Sequence, residues 1–252
     1  MEIEWGRLSA AALCERAQAD ALVVLPVAST EQHGPHLATS VDAVLVGEVA
    51  RRAARRLADR MAVVVAPTLW CGLAEHHMAF GGTFTLSFPA YQAVLRDLCG
   101  SILRHGFHRI LILNGHGGNV AGLNVIAGEL TRDLGAPIAV ATYWVLAETE
   151  FAKILEDQRS VHHACEAETS MMLAVAPDLV DRARLPDAFG PMPAGPGSIL
   201  NPPLSRPRSF REITASGVIG DARKASAAKG ERLLDAAAQA LADQLLAGKP
   251  WA

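Results

Sequence analysis

Histidine and carboxylate residues occur together in three short segments of the chain, and both residue types bind divalent metal ions. Residues 29–36 read STEQHGPH with Asp42 six residues further on, residues 114–119 read NGHGGN, and residues 162–170 read HHACEAETS. The three segments contain no lysine or arginine, so carboxylates brought close together there would repel one another without a cation. This composition favours a metal site with mixed imidazole and carboxylate ligands, which suit Zn²⁺, Mn²⁺ or Fe²⁺.

Spacing within the segments supports a meeting of their side chains. Glu31 and His33 flank one residue, so both point the same way from an extended chain. Asp42 falls at the start of a predicted helix, and the glycines around His116 permit a tight turn that approaches a ligand closely. Taken singly, each residue has an ordinary structural explanation, such as a helix cap for Asp42 or a hydrogen-bonded turn for His116. Taken together, they favour the metal site.

Apolar runs that alternate with amphipathic segments predict the elements that would position these residues. Predicted strands cover 21–28, 62–66, 110–113 and 137–142, and predicted helices cover 42–60, 89–104, 120–134, 146–155, 165–176 and 221–246. Such alternation is typical of βαβ units with a mostly parallel sheet, in which ligands gather at the carboxyl ends of the strands. We therefore predict an α/β fold in a single domain, 1–252, with an irregular segment at about 182–212, where half of the 14 prolines lie.

Composition and motifs exclude several other classes of protein. The 252 residues are 50% hydrophobic with a formal net charge of −3, which argues against disorder and against a dedicated nucleic-acid binder. The four cysteines form no CxxC pair, and the phosphate-loop and serine-elbow motifs do not occur. The N-terminus lacks the basic start of a signal peptide, and the longest apolar run is too short to span a bilayer. We expect a cytoplasmic protein without a membrane or nucleic-acid partner.

The three segments together resemble the creatininase (creatinine amidohydrolase) family. Residues 72–76 (GLAEH), 80–83 (FGGT) and 217–221 (GVIGD) extend the resemblance, which covers about 21–234. It implies a three-layer αβα sandwich with a mostly parallel central sheet and a site for two divalent metal ions per chain, of zinc, manganese or iron. It also implies a homo-oligomer, often a hexamer.

The resemblance assigns roles to individual residues. Glu31, Asp42 and His116 would hold one metal ion. Asp42 would bridge to a second ion, which His33 would also hold. His163 corresponds to the catalytic histidine of the family.

The chain departs from creatininase itself at two neighbouring positions. Creatininase carries a glutamate ligand two residues after the histidine of the second segment, where this chain has Gly118. We predict that Glu168 supplies the missing ligand, with Glu166 as the alternative, because many relatives with the Gly-Gly form keep the sequence Glu-Thr-Ser. Gly117 stands where creatininase has an aromatic residue that lines its pocket. The predicted substrate is therefore not creatinine.

These features predict a metal-dependent amidohydrolase that cleaves a small amide C–N bond, of the cyclic amide or formamide type. A hydroxide that bridges the two ions would attack the carbonyl carbon, and His163 would protonate the leaving nitrogen. A lactone hydrolase and a peptide-cleaving or maturation protein of the same family are the alternatives. Residues predicted to line the substrate pocket are Glu75, His76, Gly117 and Trp144. Structural roles are predicted for His77, His105 and His108.

Overall fold

Parallel strands form the centre of the fold. The structure is a computed structural model that describes residues 2–192 and 206–251. Within these residues, four parallel strands pair in the order β2-β1-β3-β4, with bounds β1 Leu22–Val27, β2 Val63–Val65, β3 Arg109–Asn114 and β4 Ile138–Thr142. Val24 lies opposite both Val65 and Leu111, which defines the register of the three strands. Because the strands are parallel, their carboxyl ends share one edge of the sheet.

Helices cover both faces of this sheet. Those in the described residues are α1 Ala10–Gln18, α2 Val41–Leu57, α3 Phe88–Arg104, α4 Val120–Leu134, α5 Tyr143–Leu146, α6 Glu148–Ile154, α7 Glu166–Val175, α8 Phe210–Ile213 and α9 Ala227–Ala247. Short 3₁₀ turns join them, among them Glu75–Phe80, Arg182–Asp187 and Ala222–Lys224.

Two hydrophobic cores lie on opposite faces of the sheet, because successive side chains of a strand alternate in direction. Val24 and Leu111 pack in one core with residues of α2, α7 and α9. Val23 and Ile110 pack in the other core with residues of α3 and α4. All of β1 is buried, as expected for an inner strand of a parallel sheet. The fold is a three-layer αβα sandwich, and the predicted fold class is confirmed.

Some boundaries differ from those predicted. Helix α9 begins at Ala227 rather than at 221, because the Ser226 side chain caps it by accepting a hydrogen bond from the Lys229 N–H (3.3 Å). The helix predicted at 146–155 corresponds to α6, and a further short helix, α5, precedes it and is separated from it at Ala147. The element types nevertheless follow the predicted order.

The predicted irregular segment at about 182–212 contains helical turns at both ends of its described part. The 3₁₀ turn Arg182–Asp187 begins it, and α8 ends it with a capping box between Ser209 and Glu212. Residues 193–205 of the segment lie outside the described residues.

Among the described residues, no helix is long and apolar enough to cross a membrane. The organisation as one domain, 1–252, stays a prediction.

Candidate metal centre

The loop after β1 and the turn after β3 meet at the carboxyl edge of the sheet. Helix α2 carries Asp42 in its first turn. Gly115 lies directly against this helix, since a Cβ there would stand 2.6 Å from Val46 Cβ and 3.1 Å from the carbonyl oxygen of Asp42. The lack of a side chain at Gly115 therefore allows His116 to approach Asp42.

Five buried side chains meet at this edge. We call them the carboxylate–histidine cluster: Glu31, His33, Asp42, His116 and Glu168. The His116 Nδ1 atom lies 3.1 Å from Glu31 Oε2 and 3.1 Å from Asp42 Oδ2. The His33 Nε2 atom lies 3.2 Å from Asp42 Oδ1 and 4.0 Å from Glu168 Oε1. Asp42 therefore presents one carboxylate oxygen to each half of the cluster.

Ligand atoms of the cluster fall into two groups that fit divalent cations. Glu31, Asp42 and His116 form one group, His33, Asp42 and Glu168 form the other, and the atoms of each lie within 4.8 Å of one another. Among the described residues, Glu31 Oε2, Asp42 Oδ2 and His33 Nε2 are buried without a hydrogen-bond partner. Buried polar atoms are rarely left so, because the loss of hydration is then uncompensated. A divalent cation would satisfy these lone pairs and offset the repulsion between the carboxylates.

Backbone carbonyl groups determine which nitrogen of each histidine faces the cluster. His33 Nδ1 lies 3.1 Å from the carbonyl oxygen of Glu31, and His116 Nε2 lies 3.2 Å from that of Leu73. A carbonyl oxygen only accepts hydrogen bonds, so each of these nitrogens carries the proton. The lone pairs of His33 Nε2 and His116 Nδ1 are then free to bind a metal ion, as is usual for histidine ligands.

The two carboxylates considered as the replacement ligand lie in different surroundings, although both belong to the first turn of α7. Glu168 reaches the cluster, and its Oε2 atom accepts a hydrogen bond from the Ala164 N–H (2.5 Å). Glu166 instead pairs with Lys229, whose Nζ atom lies 2.6 Å from Glu166 Oε1. Residues two apart on a helix do not share a face, which explains the difference. A ligand role for Glu168 stays a prediction that this placement supports.

Burial and neighbouring charges shift the pKa values of the cluster without metal. Burial raises the pKa of Glu168 to about 7. Burial favours neutral His33, but the carboxylate of Asp42 outweighs it and raises the pKa of His33 to about 9. Burial would also raise the pKa of Asp42, yet the charges of His33 and His116 hold it below its usual range. Near neutral pH, protons bound to the cluster thus supply the positive charge that metal ions would otherwise supply.

Metal binding is expected to strengthen as pH rises. An ion that binds His33 and Glu168 must displace two protons below pH 7 and one proton between about pH 7 and 9, given pKa values of about 9 and about 7. The apparent affinity for Mn²⁺ should therefore rise about tenfold per pH unit from 7 to 9, and more steeply below 7. Calorimetric titration of the metal-free protein at several pH values measures this slope. An affinity that stays constant over this range would contradict the expectation.

His163, the predicted catalytic histidine, lies beside the cluster. Its Nε2 atom donates a hydrogen bond to the carbonyl oxygen of Gln32 (2.8 Å), and its Nδ1 atom lies 3.6 Å from Glu31 Oε1. Burial lowers the pKa of His163 well below its usual value, so the ring is neutral with the Nδ1 lone pair towards Glu31. Glu31, His33 and His163 also form a third group of ligand atoms within 4.8 Å. The position of His163 Nδ1 is therefore compatible with proton transfer and with binding of a metal ion.

His77 also reaches the cluster, although the sequence predicted a structural role for it. Its Nε2 atom lies 3.2 Å from Glu31 Oε1, and its Nδ1 atom lies 3.0 Å from the side-chain nitrogen of Gln32. Gln32 Oε1 accepts a hydrogen bond from the Gly34 N–H (3.0 Å), so the amide nitrogen faces His77. Gln32 therefore donates to His77 Nδ1, which places the proton of His77 on Nε2 and directs it towards Glu31. In the sequence, this role of His77 could have been inferred from its position next to His76, which was predicted to line the pocket.

The residues predicted to line the substrate pocket divide into two kinds. His76 is half-buried and its ring stacks on that of His116, with centroids 5.6 Å apart. Gly117 borders open space, since no atom lies within 4 Å of its Cβ position. Glu75, by contrast, is exposed. Trp144 is half-buried and packs against the hydrophobic core beside α2, α7 and α9, and its predicted role in the pocket stays a prediction.

An aromatic ring that the sequence reasoning missed covers the histidines. Phe210, the first residue of α8, is buried, and its ring centroid lies 4.0 Å from that of His77 and 4.8 Å from that of His163. An apolar ring at this distance keeps water away from both imidazoles and favours their neutral forms. Phe210 lies near the end of the irregular segment at about 182–212, where residue spacing carries no periodic signal, so the sequence offered nothing that pointed to it.

Replacement of Gly118 by alanine is expected to weaken metal binding through His116. A Cβ at Gly118 would lie 2.4 Å from His116 Nε2 and 2.4 Å from the carbonyl oxygen of Leu73, the two atoms whose hydrogen bond orients the ring. Loss of such a supporting contact typically costs about 10- to 100-fold in metal affinity. We expect a loss of that size for Gly118→Ala.

The neighbouring Gly117→Ala is the matched control, because a Cβ there meets no atom within 4 Å. Titration of the two metal-free variants and the parent protein with Mn²⁺ measures the difference. Equal affinities for all three proteins would show that the close approach at Gly118 has no influence on the ligand.

The fold and the site together define an α/β protein with a candidate metal centre at the carboxyl edge of a parallel sheet. A family model described as creatininase (creatinine amidohydrolase) matches residues 6–245. The chain therefore belongs to the creatininase family, as the motifs predicted. Membership in this hydrolase family supports the prediction that the chain is an enzyme.

Relatives extend over almost the whole chain. The creatinine amidohydrolase of Pseudomonas putida is 30% identical over 246 residues, which cover 91% of this chain and 90% of that protein. The mycofactocin precursor peptide peptidase of Mycolicibacterium smegmatis is 32% identical over 235 residues, which cover 91% and 86%.

Solved structures of creatininase share the fold. One named "Creatininase Mn" has a TM-score of 0.79 at 27% identity, covering 98% of this chain and 99% of that one. A creatininase variant of the Zn–Zn type also has a TM-score of 0.79, at 28% identity and 98% coverage of both chains. These names support metal binding by manganese or zinc. The homo-oligomer that the resemblance implies stays a prediction.

Proposed function

We propose that the chain is a metal-dependent amidohydrolase that cleaves the C–N bond of a small amide with two divalent ions. This proposal rests on the position of Asp42, whose two carboxylate oxygens face separate groups of ligand atoms. Glu31, Asp42 and His116 would hold one ion, and His33, Asp42 and Glu168 would hold the other. Zn²⁺, Mn²⁺ and Fe²⁺ all suit such nitrogen and oxygen ligands.

Proton transfer in the proposed reaction falls to His163. Bound ions would supply a Lewis acid for the substrate carbonyl and lower the pKa of water at the site. The neutral His163 ring, with its proton held on Nε2 by the Gln32 carbonyl, accepts a proton from the attacking water at Nδ1. It then passes this proton to the amide nitrogen as the C–N bond breaks. The carbonyl carbon gains the hydroxyl group of water, and the nitrogen gains its proton.

The two glycines after His116 bear on the substrate. Gly117 borders open space, so no aromatic side chain encloses a small planar ring at this point. Without an aromatic wall at Gly117, the proposed substrate is a formamide, or a small cyclic or linear amide other than creatinine. Cleavage of a peptide bond is the second candidate, favoured by the relative that is a peptide peptidase.

A substrate panel on metal-loaded protein tests these proposals. The purified chain is stripped with a chelator, reloaded with Mn²⁺ or Zn²⁺, and its metal content is measured by mass spectrometry. It is then assayed with creatinine, N-formyl amino acids, lactams, a lactone and short peptides. Amide hydrolysis that requires two ions per chain supports the proposal. Hydrolysis that survives metal removal, or faster turnover of the lactone than of every amide, would overturn it.

A further inference from the structure

A cavity beside the carboxylate–histidine cluster carries charged groups that the proposed chemistry does not use. It has a volume of about 380 Å³, and one of its walls is Gln32, whose side-chain amide also contacts His163 (2.9 Å). Arg184, Arg211 and Asp187 also line the cavity. Gln32 therefore links the surroundings of the cluster to a cavity whose lining carries a net positive charge.

Arg211 is arranged to bind a planar anion. Its guanidinium carbon lies 3.9 Å from the centroid of the Phe80 ring, and its Nη1 atom donates a hydrogen bond to the carbonyl oxygen of Ala215 (3.3 Å). Stacking on Phe80 occupies a face of the guanidinium group and leaves the N–H groups in its plane available. No carboxylate within the described part of the chain pairs with Arg211. A fixed guanidinium with free edge donors is the geometry that binds a carboxylate through two hydrogen bonds.

Arg184 adds a second positive charge, and it forms only a weak ion pair with Asp187. Its Nε atom lies 3.6 Å from Asp187 Oδ2, and the two side chains are 56% and 61% exposed. Exposed ion pairs of this kind contribute little, so a bound anion can share or displace Asp187. With Arg211 counted, the lining carries one more positive than negative charge. This balance matches a singly charged carboxylate better than a doubly charged phosphate group.

We propose that this cavity binds a carboxylate of the substrate, so that the amide cleaved at the cluster is an anionic one such as an N-acyl amino acid. The proposal rests on the proposed amidohydrolase function and specifies its substrate class. Gln32 separates the two regions, and its neighbours Glu31 and His33 belong to the cluster. In this proposal, a substrate whose carboxylate is held by Arg211 extends past Gln32 and places its amide group at the cluster.

A matched pair of probes tests this subsite: N-formyl-L-leucine and N-formyl-L-leucinamide, which differ in one carboxylate. Binding to the Mn²⁺-loaded protein is measured by calorimetry, and turnover is measured separately. Arg211→Met should raise both the Kd and the KM of N-formyl-L-leucine about 10- to 100-fold. A loss of this size is typical of a hydrogen bond to a charged group. The carboxamide should be unaffected. Arg211→Lys, which keeps the charge without the planar fork, should lose less.

Arg182→Met is the control, since Arg182 is exposed on the same 3₁₀ turn as Arg184 but does not line the cavity. Selective binding of the carboxylate that Arg211→Met removes, without turnover, would support the subsite and refute the proposed function. Turnover of both probes with equal KM values, unchanged in Arg211→Met, would keep the function and overturn the subsite. Failure of both probes to bind also overturns the subsite.

Discussion

Replacement of Asp42 by asparagine is expected to abolish binding of both divalent ions and to lower amide hydrolysis by about 1000-fold. Asp42 Oδ1 faces His33 and Oδ2 faces His116, so a single substitution removes the anionic charge from both groups of ligand atoms. Metal ions contribute several kcal/mol to transition states of this kind, and about 1.4 kcal/mol corresponds to a factor of ten. Asparagine keeps the size of the side chain, so the expected loss is electrostatic rather than steric.

Glu48→Gln provides the matched control on the same helix. It removes the same charge from α2, but the Glu48 carboxylate pairs with Arg51 and Arg52 instead of reaching the cluster. Metal content by mass spectrometry and kcat are measured for both variants. Retention of two ions by Asp42→Asn, or parental activity after loss of both ions, would show that the shared carboxylate is not the centre of the site.

His163→Gln is expected to lower kcat by about 100- to 10,000-fold while the protein still binds two ions. General acid–base catalysis typically contributes this factor. Glutamine removes the titratable Nδ1 atom that lies 3.6 Å from Glu31. Because the proton goes to the leaving nitrogen, the loss should be largest for amides of strongly basic amines and smallest for anilides. A series of formamides with different leaving groups measures this trend.

His162→Gln is the control for this variant, since the neighbouring histidine undergoes the same change outside the candidate ligand groups. Loss of an ion from His163→Gln would instead assign His163 to the third ligand group, with Glu31 and His33. An equal loss of kcat for every leaving group would likewise contradict a role in protonating nitrogen. Either outcome would require another proton donor.

The fold could be predicted because its strands and helices have different periodicities. The continuous apolar run at 21–28 is the pattern of a strand buried on both faces, and β1 indeed lies between two cores. Boundaries were less predictable where a side-chain hydrogen bond decides them, as Ser226 does for α9. The short helix α5 lies between the predicted strand at 137–142 and the predicted helix at 146–155, and its four residues are too few to show a helical period.

Candidate ligands could be identified because glutamate, aspartate and histidine at strand ends are costly to place together without a cation. Residues that support them were harder to identify. Gln32 contacts His77 across 45 residues and His163 across 131 residues of sequence, and such pairings depend on tertiary structure alone. Trp144, an aromatic residue after a strand, packs partly buried against the core, and sequence spacing does not show which of its sides faces the pocket.

The tripeptide 31–33 has a consequence for how this protein can change over evolutionary time. Glu31 and His33 belong to the ligand groups, whereas the intervening Gln32 forms a wall of the neighbouring cavity. The outer lining of that cavity comes from other parts of the chain, including Arg184 and Arg211. If the cavity binds the substrate as proposed, mutations in those parts would alter which molecule is recognised and leave the candidate ligands unchanged. Such modularity is consistent with one family that holds both a creatinine amidohydrolase and a peptide peptidase.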